Sequence, residues 1–568
     1  MLALRAMSHR VLAFVSRHPA ATVVALLGVV YAATLAPSVT LWDSGEFLSA
    51  IRTLGVPHPP GTPLFIFVAR VWSMLLVPVD FTVAVNAGSA LATAIGVAML
   101  VRTFADSAGP LPVVLAGLVA GLTSSVWQSA TETEVYGYAL CLGAIAVRIG
   151  DHAGRHWSSR HRALLAFVLG LAVPLHISAL VVGPAAILLS ATDGGGSLSL
   201  RAALPPAAAW LVAAGLGTTS PPMILLGVAV AILAAALPVG GIGSSRREGF
   251  VAIMLATLGA TFAVVMLVRA MHDPGVNQGN PDTWRGLLEV VGRAQYDVPP
   301  LWPRRAPAWL QVGNLVQYGD WQFALGLDAS PGASFLRTPV TMAFVALGIR
   351  GAAAHHAADR RGFRGFVLLL LAASLGVVGI LNLLAGPSYG YGILPEGALH
   401  EARERDYFFA LAFVCWGIWS GLGIAALARQ APRPAGQFAV CAVAFVPMVL
   451  NWTAMTRRRS PDRVLSQALG IATLEAAPAN AVIVLAGDND TYATWWAQRV
   501  QRLRPDVLPV TVPLLPADWY RAELARRGGL LEPALVRSWH GTTATLQAIV
   551  AGADRAGRPV AAAVGLTR

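Results

Sequence analysis

Long apolar runs separated by short polar stretches recur from about residue 20 to residue 453. They fall near 20–37, 84–104, 110–126, 135–149, 163–176, 177–190, 204–218, 222–240, 250–270, 338–350, 365–385, 407–428 and 436–453. Runs of this length and apolarity predict about 13 transmembrane helices. The run at 63–79 differs, since it carries Arg70 and Trp72 and sits near the lower length limit for a span. It predicts a helix lying in the membrane interface. After Asn451 the pattern changes. Short apolar runs at 481–486, 507–512 and 559–565 alternate with helical stretches at 492–503 and 542–553, which predicts a small α/β unit with a parallel sheet. The fold class expected is an all-α polytopic membrane protein, residues 1–456, with a small α/β domain, residues 457–568.

The charges orient these elements. Arg5, Arg10 and Arg17 precede the first run, which reads as a retained span because no small-x-small cleavage site closes it. Arg148, Arg155, Arg160 and Arg162 crowd one loop, and the positive-inside rule makes that loop cytoplasmic. Parity agrees only if 63–79 lies flat. The N-terminus is then cytoplasmic, and the loop at 37–83 and the α/β domain are external. The other loops assigned outside hold most of the acids: Glu132, Glu134, Asp273, Asp282, Glu289, Asp297, Glu401, Glu404 and Asp406. Arg457–Arg459 is the exception, falling outside by parity.

Composition agrees with a membrane location and removes other classes. The 568 residues are 56% apolar and 12% charged, with a mean hydropathy of +0.62. A soluble chain carries about 25% charged residues. The net charge of +12 comes from 41 cations, all of them Arg. Without Lys there is no Walker A loop and no Schiff-base chemistry. The Arg residues sit in short loops between apolar runs, so nucleic acid is not an expected partner. Three cysteines without a CxxC support neither a disulfide framework nor a zinc site.

The candidate chemistry gathers in a few segments. WDSGEF is followed by TLGVPHPPGTPL, with Asp43 and Glu46 three apart on one helical face. Either they cap an interfacial helix over 44–54 that Gly55 ends, or they are functional acids at the bilayer surface. The HPPG turn is stiff and sets His58 near Asp43. WQSATETEVY brings Glu132, Glu134 and Tyr136 to the second external loop, as substrate contacts or as a helix cap. His176 follows Pro174 near the same face. HEARERDYFF opens a span with Arg403, Arg405 and Asp406, an interfacial ion network or a grip on a lipid phosphate. Neither HExxH nor GxSxG is supported at 400–404 or 386–390. GDND at 487–490 ends a strand, where Asp488 and Asp490 bind a ligand or cap the next helix.

Together and in this order, WDSGEF…TLGVPHPPGTPL, WQSATETEVY, RERDYFF and GDNDTY…RPDV…LLPADWY resemble the bacterial branch of a membrane family that includes the animal O-mannosyltransferase acting on plexin-type IPT domains. The resemblance covers about residues 20 to 525. It implies a GT-C glycosyltransferase using a polyprenyl-phosphate sugar, mannose by the family's example, and a protein or glycan acceptor hydroxyl. The catalytic acid falls on Asp43, with Glu46 beside it. The animal member carries helical repeats at its C-terminus where this chain has the α/β unit.

The mechanism expected takes Asp43 as general base. Arg405 and Arg403, with His176 and His58, hold the donor phosphate. Glu46, Glu132, Glu134, Tyr136 and Asp406 meet acceptor or sugar hydroxyls. No cofactor or metal is required, and a divalent ion stays compatible. The rival class is a transporter or lipid flippase, which sets ionisable groups at mid-membrane in repeated halves. No such repeat is visible.

Overall fold

The computed structural model describes residues 14–237, 246–296 and 298–563. Arg5, Arg10, Asp297, the end of the expected span at 222–240 and the end of the strand at 559–565 lie outside them. The chain runs as helices from Pro19–Thr34 to Leu465–Glu475 before the first strand appears. Proline at the first turn opens many of them, among them Pro19–Thr34, Pro63–Leu75, Pro110–Gly121 and Pro221–Ala236. Its missing N–H costs nothing there and its φ suits the helix.

The expected count of about 13 spans is corrected. Six helices among the described residues are long and apolar enough to cross a membrane: Phe81–Phe104, Leu200–Gly217, Glu248–Ala270, Arg360–Leu381, Asp406–Ala428 and Pro434–Met455. A seventh is added if Pro110–Gly121 and Ser124–Ala130, bent by 79°, form one broken span. Hydropathy along a sequence counts apolar residues, whereas crossing about 30 Å needs continuous helix at 1.5 Å per residue. Pro19–Thr34 and Pro221–Ala236 stop at 16 residues each. The run at 177–190 divides into a 3₁₀ turn and an eight-residue helix. Polar residues take the rest: Ser159–Leu175 opens on Arg160, His161 and Arg162, Tyr136–Arg155 contains Arg148 and Asp151, and Thr338–Ala358 contains Arg350 and has His355 and His356 in its last turn. The run at 63–79 forms Pro63–Leu75, 13 residues that are too short to cross. One side of it buries Phe65, Ile66 and Ala69, while Phe67, Val68, Val71, Met74 and Leu75 are exposed.

The C-terminal strands pair in parallel. Val482–Leu485 (β1) lies between Leu508–Thr511 (β2) and Val560–Ala562 (β3). Helix Asp488–Arg499 follows β1 and packs directly on the first-loop helix Ser44–Thr53. Phe47, Leu48, Ile51 and Phe65 share one buried apolar cluster with Tyr492, Trp495 and Trp496. The Trp496 indole N–H donates to the Thr82 hydroxyl at 3.1 Å, and the Trp42 backbone N–H donates to Asn489 Oδ1 at 2.7 Å. Gly45 permits this docking, because a Cβ there would overlap the Tyr492 carbonyl.

Gly45→Ala is therefore expected to push the two helices apart and destabilise the protein by about 1–3 kcal/mol, the cost of overpacking. Thermal unfolding of purified wild type and variant measures it; an unchanged Tm would show that the interface yields without loss.

Candidate active site

Asp43 occupies the N-cap position of Ser44–Thr53, yet its side chain makes no capping hydrogen bond. Its Oδ2 instead accepts from Arg403 Nη2 at 2.8 Å, across 360 positions of sequence. The helix ends at Leu54, which is left-handed at φ 49°, one residue before the expected Gly55. Gly55 serves another purpose: a Cβ there would overlap the Val276 carbonyl, and the chain bridges in parallel from Val56 to Asn277. This contact brings Gln278 onto Glu46.

Glu46 is fully buried. Its Oε2 meets His58 Nδ1 at 2.5 Å, and its Oε1 accepts the His58 backbone N–H at 2.6 Å and the Gln278 amide. The HPPG turn thus docks His58 on Glu46 rather than on Asp43. Burial raises the Glu46 carboxyl and His58 opposes that rise. Three donors on one carboxyl group favour the carboxylate–imidazolium form of the pair. Burial acts to lower the His58 pKa, but Glu46 overcomes it and holds the ring up at about 9. For Asp43, burial acts upward, while His58 and then Arg403 outweigh it and hold the carboxyl below its ordinary value.

The RERDYFF segment supplies the cations. Arg403 lies 5.1 Å over the rings of both Trp42 and Tyr407, and its Nε donates to the Tyr407 hydroxyl at 3.1 Å. Arg405 donates from Nε to Glu401 Oε2 at 3.0 Å and from Nη1 to the Tyr407 hydroxyl at 2.7 Å. The Tyr318 hydroxyl bridges the Arg405 backbone N–H and Glu404.

The remaining candidates take different places. Glu134 stands near Asp43, and among the described residues only the Val135 N–H bonds its carboxylate; burial followed by the Asp43 and Glu132 charges pushes its carboxyl up to about 8. Tyr136 packs 4.9 Å from Tyr407 and 5.2 Å from His176. Burial, then Arg293, drives the His176 ring down to about 3, so it is neutral. Glu132 pairs with Arg457 at 3.0 Å, which gives that parity exception a partner. Asp406 accepts the Ser125 hydroxyl at 2.5 Å. In the GDND loop Asp490 caps its helix, accepting from the Ala486 and Gly487 N–H groups. Asp488 is exposed beside Asp43, and partial burial and then that charge raise its carboxyl.

Sequence reading missed Gln278, Trp42, Tyr407 and Tyr318. The aromatic residues adjoin the singled-out motifs, which is a usable signal for a cation's neighbours. Nothing local marks Gln278, whose role exists only through the Val56–Asn277 bridge. Among the described residues no three His, Cys, Asp or Glu gather as a metal-holding group. A cavity of about 660 Å³ flanks Thr542–Arg555 and β3. None of its lining residues belongs to the acid cluster, so the chemistry rather than the volume marks the site.

Residues 43–193 match the family model of the protein O-mannosyl-transferase TMEM260 N-terminal domain, and residues 466–531 match that of TMEM260-associated domain 2. The Mus musculus protein O-mannosyl-transferase TMEM260 is 31% identical over 156 residues, 27% of this chain. That alignment spans 22% of the mouse protein's length. The crystal structure of ArnT from Cupriavidus metallidurans bound to undecaprenyl phosphate superposes with a TM-score of 0.45 and 11% identity, over 87% of this chain and 90% of that one.

The Glu46–His58 pair generates a titration test. His58 is raised from 6.5 to about 9, so the stability it contributes is whole below pH 6.5 and is lost as pH climbs through about 9. Glu46→Gln removes the opposing charge and leaves burial dominant, and the His58 ring is expected to titrate below 6.5. Spectra of ¹³C-labelled histidine, with His58→Gln as the assignment control, read both values. A His58 that still titrates near 9 in the variant would show that Glu46 is not the cause.

Proposed function

We propose that this chain is a membrane glycosyltransferase, moving a sugar from a polyprenyl-phosphate-linked donor to an acceptor hydroxyl on the external face of a plasma (inner) membrane. The matched family descriptions favour mannose as the sugar and a protein Ser or Thr hydroxyl as the acceptor. In this reading the N-terminus is cytoplasmic and the α/β unit is external. The observation that carries the proposal is the aim of Asp43. An acid serving only its helix would accept from the free amides of the first turn; this one faces Arg403 at 2.8 Å. The segment similar to the O-mannosyl-transferase N-terminal domain contains Asp43, Glu46, His58, Glu134, Tyr136 and His176.

Asp43 takes the proton of the acceptor hydroxyl, whose oxygen attacks the anomeric carbon. The bond from that carbon to the phosphate oxygen breaks, and the electron pair leaves on the lipid phosphate. Arg403 and Arg405 stabilise the charge that develops there. The His58 imidazolium, fixed by Glu46, keeps Asp43 ionised between turnovers. Glu134, largely protonated at neutral pH, and Tyr136 donate to sugar or acceptor oxygens. Glu132 and Asp406 act at one remove, through Arg457 and Ser125. A flippase would carry its ionisable groups at mid-membrane. Asp43, Glu46, His58, Glu134 and Arg403 all fall outside the six long apolar helices.

Asp43→Asn preserves shape and removes the base. Transfer from a synthetic polyprenyl-phosphate sugar is expected to fall by about 100- to 10,000-fold, with expression and Tm retained. A rate within a few-fold of wild type would end the case for Asp43.

A further inference from the structure

The turn that carries Asp43 is held from the α/β unit at three points. The Ser466 hydroxyl donates to the Thr40 carbonyl at 3.1 Å, Asn489 Oδ1 accepts the Trp42 backbone N–H at 2.7 Å, and Gly45 lies against the Tyr492 carbonyl. Ser466 belongs to the first turn of Leu465–Glu475, and Asn489 and Tyr492 to the first turns of Asp488–Arg499. All three fall within the second matched stretch, residues 466–531.

What they hold is strained. Trp42 is left-handed at φ 61°, a conformation that a bulky residue rarely adopts. Such strain persists only where the surroundings impose it, and it gathers at functional sites. Burial does not explain it, because Trp42 is still 40% exposed. The contact the indole does make is with a cation: the Arg403 guanidinium lies 5.1 Å over its ring, while Arg403 Nη2 donates to Asp43 Oδ2 at 2.8 Å. A chain of contacts thus runs from Asn489 to the Trp42 backbone, from the indole to Arg403, and from Arg403 to Asp43. Tyr407 supports the guanidinium from its own segment. The Trp42 support comes from another part of the chain and has to be set in place. Without the Asn489 acceptor the strain at Trp42 is no longer offset, and relaxation of φ swings the indole off the guanidinium. Arg403 then keeps Tyr407 and loses the surface that turns it toward Asp43.

We propose that Asn489 is a positioning residue contributed by the α/β unit: by holding Trp42 left-handed it sets the indole against Arg403 and so fixes the direction in which Asp43 meets its substrate. The catalytic consequence rests on the glycosyltransferase reading; the geometry does not. The accepting atom has to be oxygen, since the partner is an N–H. Asn489 also stands in the first turn of its helix, where a carboxylate is well placed. Asn489→Asp therefore keeps the acceptor and Asn489→Ala removes it.

The test uses the full chain in nanodiscs, with undecaprenyl-phosphate mannose as donor and a Ser/Thr peptide as acceptor. Asn489→Ala is expected to lower kcat by about 10- to 100-fold, the effect of a misplacement near 1 Å, with KM for the donor within about threefold of wild type. Asn489→Asp is expected to restore kcat to within about threefold. Trp42→Gly adopts φ 61° without strain but lacks the indole, so kcat should fall similarly, and adding Asn489→Ala should cost little more, because residues acting through one another are not additive. Tm values identify any variant that misfolds; if Asn489→Ala does, a wild-type kcat in Trp42→Gly still overturns the proposal. It is also overturned by an unchanged kcat in Asn489→Ala, by equal losses in the Ala and Asp variants, or by full additivity in the double variant. A crystal structure of Asn489→Ala reads the geometry without turnover. Trp42 should leave the left-handed region and Arg403 should no longer lie within hydrogen-bond distance of Asp43; an unmoved Trp42 and Arg403 overturn the proposal. If that shift is seen while wild type transfers no sugar, the positioning stands and the glycosyltransferase reading falls.

Discussion

The ion pair between Asp43 and Arg403 joins two loops that are far apart in sequence, and both side chains are largely withdrawn from water, at 14% and 20% exposure. Withdrawing a charge costs several kcal/mol, and mutual attraction offsets this only when the other donors are also satisfied. The surroundings meet that demand on the cation's side. Arg403 lies between two aromatic faces and donates to Tyr407. Asp43 is less completely served, with one oxygen on Arg403 and a helix start it does not cap. An incompletely satisfied carboxylate next to a satisfied cation is poorly suited to holding a fold together, and its second oxygen accepts no hydrogen bond among the described residues.

The shape of the pair depends on packing several residues away. Glu46 is immobilised by His58 and Gln278, which fixes the face of Ser44–Thr53 that carries Asp43. Gly45 lets the helix after β1 approach until Asn489 touches the Trp42 backbone. The α/β unit thereby forms part of the wall around the acids and brings Asp488 to them. Arg337 illustrates the contrasting structural case: fully buried, it spends its donors on Asp320 and on the Asp328, Ser330 and Gly332 carbonyls.

Much of this was legible in the sequence where the signal is local. The acids of WDSGEF, the stiff turn before a short interfacial helix and the three short strands each announce themselves through spacing or composition. The number of spans was not legible, because apolar content does not reveal where a helix bends, shortens to 3₁₀ or starts on arginine. Nor was it legible whether Asp43 caps its helix, since a capping and a non-capping acid occupy the same position; the ion pair with the distant Arg403 shows that it does not cap. The partners of Glu132 and Asp406 are tertiary as well. A serine at 125 and an arginine at 457 carry no mark of the acids they meet.

The bond from the Trp42 backbone to Asn489 spans 447 residues. At a synthesis rate of about 5–20 residues per second, the first loop leaves the ribosome roughly 20–90 s before the helix that covers it exists. During that interval the membrane helices insert one after another while Phe47, Leu48 and Ile51 have Phe65 and Ile66 beside them but not Tyr492, Trp495 or Trp496, and the acid-bearing helix lacks the second surface of its packing. The cluster around Asp43 and Glu46 is thus completed only after Asn489 has been made. Until then the nascent polypeptide holds its earlier helices without the wall that encloses Asp43 and Glu46.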